Sequence, residues 1–349
     1  MPSELLESDL THIFNNTFSL WENLRNQRIF ITGGTGFFGC WLLESFVWAN
    51  TKLKLNATAV VLTRNVAQFE EKCPHLVGEP SLVFHEGDVR DFTFPSGLFS
   101  HVIHAATEAS VSLNENHPDL MFDTILQGTK HTLDFAVQCG AKHFLLTSSG
   151  AIYGKQPNHF SHITEDYLYD STGLKENASA YAEGKRQSEK MCAEYATQFN
   201  LNVKIARCFA FVGPYLPLDT HFAIGNFIRD ALKGSSIVVK GDGTPYRSYL
   251  YAADLAIWLW TILFCGKNMH PYNVGSDESI TVKDLAYLIA ESYYPKIEVQ
   301  VAQEATAQLS ERYVPDISRA KHELNLTPRI NLRQAIKLTK EWYLSRGFE

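Results

Sequence analysis

The segment Thr32-Gly33-Gly34-Thr35-Gly36-Phe37-Phe38-Gly39 constrains this chain more than any other, because of what flanks it. Before it runs Arg28-Ile29-Phe30-Ile31-Thr32, short and apolar as a buried strand is; after it, residues 37–48 have the composition of an apolar helix. Glycines 33, 36 and 39 therefore occupy a strand-to-helix turn. Gly33 permits the tight turn, Gly36 lets backbone N–H groups approach a pyrophosphate, and Gly39 allows close helix–strand packing. The helix start adds unpaired N–H groups and the positive end of its dipole. A glycine-rich connector looks similar in isolation, but strand, turn and helix in this order are the context that a dinucleotide site requires.

The rest of the chain fits that beginning. Short apolar runs at 59–62, 82–84, 101–104, 144–146 and 203–206 have the pattern of strands buried on both faces, and helical patterns at 120–138 and 180–199 supply crossovers. The expected fold class is α/β, a Rossmann-like doubly wound parallel sheet with a smaller C-terminal substrate-binding lobe. Residues 1–26 read as an N-terminal helical extension (Leu5, Leu6, Leu10, Ile13, Phe14). Residues 27–213, with about 251–280, form the NAD(P)-binding domain; 214–250 and 281–349 form the lobe, over the carboxyl ends of the strands where such sheets bind ligands. Helical patterns recur at 252–264, 282–293 and 332–343.

Composition excludes several classes. Among 349 residues, 45% are hydrophobic and 20% charged, which rules out wholesale disorder. With 31 Lys+Arg against 38 Asp+Glu the net charge is −7, and the scattered charges argue against a basic face for nucleic acid. The apolar run 255–265 is too short to cross a membrane. The acidic start, Met1-Pro2-Ser3-Glu4, lacks the basic-then-apolar order of a signal peptide, and the six cysteines show neither disulfide nor metal-ligand spacing. The expectation is a soluble cytoplasmic protein with reduced thiols and no metal.

Two positions bear on cofactor choice. Thr63 ends the second strand where a carboxylate would hold the adenosine ribose hydroxyls, and Arg64 beside it could hold a 2′-phosphate. The cofactor is NADP or NAD, with NADP slightly favoured. Asp88, in Gly87-Asp88-Val89-Arg90, is placed to reach the adenine or to serve as a turn residue.

The chemistry-bearing residues lie farther on. Leu146-Thr147-Ser148-Ser149 ends the fifth strand, pointing hydroxyls toward the crevice. Tyr181 and Lys185, four residues apart at a helix start, share one face. An ammonium beside the phenol is expected to lower its pKa toward working pH, with Ser149 bonding the substrate oxygen whose proton Tyr181 moves.

With these motifs assembled, the chain resembles the extended short-chain dehydrogenase/reductase family, of the nucleotide-sugar epimerase, dehydratase and decarboxylase type, over about residues 27–345. The resemblance rests on the glycine turn, Gly87-Asp88-Val89, His104-Ala105-Ala106, Ser149 with Tyr153-Gly154, and Tyr181/Lys185; Arg207, Gly213-Pro214, Gly241-Asp242-Gly243 and Tyr251-Ala252-Ala253-Asp254 also fit. It implies catalysis by Ser149, Tyr181 and Lys185. It implies dinucleotide contacts at Gly33, Thr35, Gly36, Phe37, Phe38, Gly39, Arg64, Asp88, Val89, Ala105, Ala106, Thr107, Tyr181 and Lys185. Substrate contacts would fall to Ser149, Asn226 and Arg247, an amide and a guanidinium being suitable donors to a diphosphate.

There are departures. Dehydratases of the family carry Asp-Glu where this chain has Gly150-Ala151, the decarboxylases carry glutamate at the Ala151 position, and Ala210 replaces a substrate-contacting asparagine. The resemblance therefore implies hydride transfer at C4 of a nucleotide-diphosphate sugar, by a 4-epimerase or 4-ketoreductase. The alternatives are a 4,6-dehydratase drawing on Glu108 or Glu165, a UDP-glucuronate decarboxylase-like enzyme, and, in another class, a non-catalytic dinucleotide sensor. It also implies a homodimer formed through the helices at 120–138 and 180–199.

Overall fold

The structure is a computed structural model describing residues 4–107, 111–168, 179–220, 222–293, 295–304 and 309–348. Through residue 86 the elements are α1 (Glu4–Thr17), β1 (Arg28–Thr32), α2 (Phe37–Leu53), β2 (Thr58–Thr63), α3 (Val66–Lys72), α4 (Pro74–Val77) and β3 (Leu82–Glu86). Then follow β4 (His101–His104), α5 (Val111–Asn116), α6 (Pro118–Gln138), β5 (His143–Ser149), α7 (Ala180–Phe199) and β6 (Asn202–Cys208). The chain divides into two compact units: Met1–Ile152 with Asp170–Cys208 and Ala256–Tyr272, and Tyr153–Tyr169 with Phe209–Leu255 and Asn273–Glu349.

The first unit is built on a seven-stranded sheet whose order is β3, β2, β1, β4, β5, β6 and then the strand Pro271–Val274. The pairs β1–β2, β1–β4, β2–β3, β4–β5 and β5–β6 are all parallel. β1 neighbours both β2 and β4, so the chain reverses direction across the sheet there, and the crevice at such a switch point is where doubly wound folds take their ligand. Buried valine, isoleucine, leucine and phenylalanine fill β1, β2, β4 and β5 because helices cover both faces. Under one face Phe30 meets Phe135 at 4.5 Å and Phe92 at 5.3 Å. The N-terminal segment packs against α2. Leu6, Leu10 and Ile13 are buried, and Trp21 lies 4.8 Å from Trp260, each indole with a hydroxyl partner.

The second unit consists of small sheets and helices. Tyr246–Arg247 pairs with Ile280–Thr281 and Arg312–Tyr313, Phe211–Val212 with Leu250–Tyr251, and Ile237–Val239 with Val299–Val301. Thr281 and Asn331 cap the helices Val282–Glu291 and Leu332–Ser345 through their side-chain oxygens.

Candidate active site

The glycine turn separates into residues that the fold needs and one that the cleft needs. At Gly33, φ is +71°, and a Cβ would stand 2.5 Å from the Ala105 carbonyl carbon and the Ala106 nitrogen. At Gly39 it would stand 2.2 Å from Gly34. Neither position tolerates a side chain. Gly36 has ordinary backbone angles, and a Cβ there would meet only the Gly33 carbonyl oxygen, at 3.3 Å. Its Cα faces open space that a side chain would fill.

That space is a cleft of about 220 Å³. Gly33, Thr35 and Gly36 line it from the turn, Thr63 and Arg64 from the end of β2, Gly87, Asp88 and Val89 after β3, and Ala105, Ala106 and Thr107 after β4. Thr124 and Ile125 of α6 complete the wall; the sequence reading missed them, since they carry no motif. Phe37, Phe38 and Gly39 lie in the first turn of α2 and are not on that wall. Also unforeseen, Lys72 Nζ donates to the Thr35 carbonyl oxygen at 3.2 Å. Asp88 is engaged by Arg90, whose guanidinium donates at 2.8 and 3.1 Å and holds the carboxyl below its usual range. Arg64 is exposed at the rim. Backbone N–H groups, a cation and a side-chain-free cradle at Gly36 fit an anionic dinucleotide.

β5 delivers its hydroxyls alternately, as a strand must. Ser148 points away from the crevice and donates to Glu189 at 2.5 Å; Glu189 in turn accepts from Arg207 at 2.8 and 3.1 Å. The expectation that this segment's hydroxyls all face the crevice is thereby corrected. Ser149 accepts the Ala151 N–H at 3.1 Å and hydrogen-bonds the Tyr181 phenol. α7 starts at the Ser179 cap, and Asn114 of α5 accepts from the Tyr181 N–H at 3.1 Å, fixing where the phenol begins.

Lys185 is 2% exposed, and its ammonium donates to Thr107 Oγ1 at 2.5 Å and to the Thr147 carbonyl oxygen at 2.8 Å. Burial pushes it down to about 8. Burial pushes Tyr181 up to about 12, against the opposing hydrogen bond from Ser149. This reverses the expected lowering by Lys185. The shared helix face brings Nζ to 5.9 Å from the ring centre, but the ammonium is committed to Thr107 and Thr147, and desolvation of the phenolate prevails.

In the second unit, Asn226 accepts from Arg229 at 3.1 Å, leaving its amide N–H groups for other partners. Arg247 donates to the Tyr246 carbonyl at 2.8 Å. Glu165 is buried; its carboxylate accepts the Asn273 N–H at 2.9 Å and lies 3.9 Å from Arg319. Burial raises its pKa. Glu108 lies outside the described residues. Gly150 and Ala151 open a short 3₁₀ turn, Gly150–Tyr153, and contribute no titratable group beside Ser149. Among the described residues no group of His, Cys, Asp or Glu could hold a metal ion, and no helix is long and apolar enough to cross a membrane.

The sheet order, the glycine turn and the cleft beside it define a dinucleotide-binding α/β enzyme. The chain belongs to the NAD dependent epimerase/dehydratase family, whose model matches residues 29–275. It is 30% identical over 318 residues to UDP-glucuronic acid decarboxylase 6 of Arabidopsis thaliana, covering 90% of this chain and 88% of that protein. It is 29% identical over 324 residues to UDP-glucuronic acid decarboxylase 1 of Danio rerio, covering 93% and 74%. Among solved structures, the UDP-glucose 4-epimerase of Thermus thermophilus in complex with NAD is 25% identical, with a TM-score of 0.74 and coverage of 91% of this chain and 99% of that one. DesIV, a dTDP-glucose 4,6-dehydratase from Streptomyces venezuelae, matches in fold with a TM-score of 0.75 at 24% identity, covering 92% and 98%.

Proposed function

We propose that this protein moves hydride at C4 of a nucleotide-diphosphate sugar, as a 4-epimerase or 4-ketoreductase. The observation that carries the reading is Ser149, Tyr181 and Lys185 gathered at the ends of β5 and α7, with only Gly150 and Ala151 where dehydration or decarboxylation would need a further acid or base. Bound in the cleft, nicotinamide supplies or takes the hydride. Ser149 hydrogen-bonds the C4 oxygen. Tyr181 gives that oxygen a proton in the reductive direction and takes it back in the oxidative one. A phenol held near 12 rests protonated, which suits the reductive direction and so the ketoreductase. Lys185 keeps a cation near the phenolate as it forms.

Several finer points belong to the same reading. NADP is favoured because Arg64 is exposed at the rim, Thr63 replaces a carboxylate, and Asp88 is occupied by Arg90. Asn226 and Arg247 are the diphosphate donors. The protein is a cytoplasmic homodimer. Its cysteines are free thiols, and α6 and α7 pack closely enough that a Cβ on Gly184 would stand 3.2 Å from Ile125, leaving their outer faces to a second copy. The decarboxylases among its relatives favour a second reading, in which oxidation at C4 precedes loss of a C5 carboxylate.

The test is to identify the dinucleotide released on denaturation, then to incubate the protein with UDP-glucuronate and with glucose linked to each common nucleoside diphosphate. The reading expects neither loss of water nor loss of CO₂; either one at enzymatic rates would replace it. Tyr181→Phe should retain fold and cofactor but lose at least about 10²-fold in turnover, the scale of general acid–base catalysis. Near-normal turnover in that variant would remove Tyr181 from the mechanism.

A further inference from the structure

Four fully buried side chains run in a line from the glycine turn to the catalytic helix. Thr32, His104, Thr129 and Ser188 are between 0% and 2% exposed. Thr32 Oγ1 lies 2.8 Å from His104 Nδ1, His104 Nε2 3.2 Å from Thr129 Oγ1, and Thr129 Oγ1 2.9 Å from Ser188 Oγ. At the far end Ser188 donates to the Gly184 carbonyl oxygen at 2.9 Å, on the turn of α7 between Tyr181 and Lys185. At the near end Thr32 Oγ1 accepts the Ala106 N–H at 3.1 Å.

Proton counting fixes the direction of every bond. Ser188 has one hydroxyl proton and gives it to a carbonyl, which can only accept, so Ser188 Oγ accepts from Thr129. Thr129, its proton given, accepts from His104 Nε2–H. A neutral imidazole carries one N–H, so Nδ1 accepts from the Thr32 hydroxyl, which itself accepts from Ala106. Each hydroxyl then gives once and takes once. The opposite tautomer turns the Thr129 hydroxyl toward Nε2, which leaves the Thr32 hydroxyl without an acceptor along this line. It also leaves the 2.9 Å Thr129–Ser188 contact without a proton unless Ser188 abandons the Gly184 carbonyl, at the cost of unsatisfied buried polar groups.

We infer that His104 is a positioning residue, locked as the Nε2–H tautomer, that holds the Ala105–Thr107 segment in register with the turn of α7 bearing Tyr181 and Lys185. The inference rests on the reading of Tyr181 and Lys185 under the proposed function and adds a residue that touches neither substrate nor cofactor. His104 is joined to both acceptors of the Lys185 ammonium. Thr107 follows it by three residues, and Thr147, whose carbonyl is the other acceptor, donates its hydroxyl to the His104 carbonyl oxygen at 3.2 Å. Burial, with the Lys185 charge adding to it, keeps the ring neutral by pushing its pKa down to about 3. The line thus passes from the residue before Gly33 to α7 without reaching the cleft surface.

Two measurements test it. Long-range proton–nitrogen correlation spectra of histidine-labelled protein should show His104 as the neutral Nε2–H form from neutral pH down to about pH 5. A proton on Nδ1, or an imidazolium in that range, would overturn the inference. Kinetics then separate positioning from mere support, using whichever of UDP-, dTDP-, GDP- or CDP-glucose, or its 4-keto derivative with NADPH, the wild-type protein turns over. Thr129→Val keeps shape and removes the relay hydroxyl. It should leave NADPH binding and KM unchanged while kcat falls about tenfold to a hundredfold, the range for misplaced catalytic groups. His104→Leu should do the same, and His104→Gln, whose amide N–H can reach Thr129, should recover much of the loss. A Thr129→Val enzyme with unchanged kcat, or one that loses NADPH binding and kcat together without rescue by glutamine, would reduce the line to ordinary core packing. Should the wild-type protein turn over no nucleotide sugar, the functional reading falls, and the tautomer spectrum decides this inference alone.

Discussion

Arg64 is the residue on which cofactor choice turns. It stands exposed where β2 ends, and its charge is among those that keep Asp88 ionised, after the stronger hold of Arg90. Asp88 is therefore compensated by Arg90 in any case, which leaves the Arg64 guanidinium available to a 2′-phosphate. Arg64→Ala should weaken NADP by about 1.5–3 kcal/mol, roughly 10–150-fold in Kd, and NAD much less. Titration calorimetry with both dinucleotides checks this, and equal losses would mean that Arg64 does not read the 2′-phosphate. Tyr181 carries the opposite lesson. Its place beside Lys185 was legible from four-residue spacing, whereas its protonation state was not. The pKa is set first by burial of the phenol, which spacing does not show. The ammonium that was expected to lower it is held by Thr107 and Thr147, 78 and 38 residues from Lys185 in the chain.

At the scale of the element, the glycine turn makes two substitutions that look alike behave differently. Gly33→Ala forces a Cβ into the Ala105–Ala106 backbone at 2.5 Å from a left-handed φ, so the β1–β4 crevice itself must shift. Gly36→Val meets only one carbonyl oxygen and keeps a permitted backbone, so native circular dichroism should persist. Its branched side chain fills the cradle. The expected steric cost of about 1–3 kcal/mol or more weakens dinucleotide binding at least roughly fivefold. Unchanged affinity in a natively folded Gly36→Val would move the cofactor elsewhere. The strands nearest this turn were readable because burial on both faces leaves unbroken apolar runs, and 28–32 and 101–104 coincide with β1 and β4. β5 extends past its apolar run through Thr147, Ser148 and Ser149, whose register with β6 no local pattern reveals. The edge strand Pro271–Val274 went unread, being short and opened by a proline. The relay through His104 also escaped, because its members come from β1, β4, α6 and α7 and meet only when the sheet closes.

Across the whole molecule, the two units should answer acid in opposite senses. In the first unit His101, His104 and His143 all sit below the ordinary imidazole value of 6.5, burial being the main cause in each, with His101 and His104 down to about 3. His101 and His143 head β4 and β5, paired in register and stacked at 4.7 Å, so a proton on one opposes a proton on the other. A base whose folded pKa is depressed binds fewer protons folded than unfolded. Its stabilisation is therefore present above 6.5 and lost as pH falls toward about 3. Asp88, held low by Arg90, and Glu183, held low by Gln187, lose stability in the same direction at lower pH. In the second unit Glu165 is raised from 4.5 by burial. The folded state there binds the extra proton, so its contribution grows on acidification and is lost as pH rises through the folded value. Calorimetric melts between about pH 7 and about pH 4.5 read both contributions. The wild-type Tm should decline on acidification. His101→Gln, lacking one depressed base, should decline less steeply, and Glu165→Gln, lacking the group that opposes the decline, more steeply. Parallel curves for His101→Gln and wild type would show that the stacked pair titrates no differently folded than unfolded.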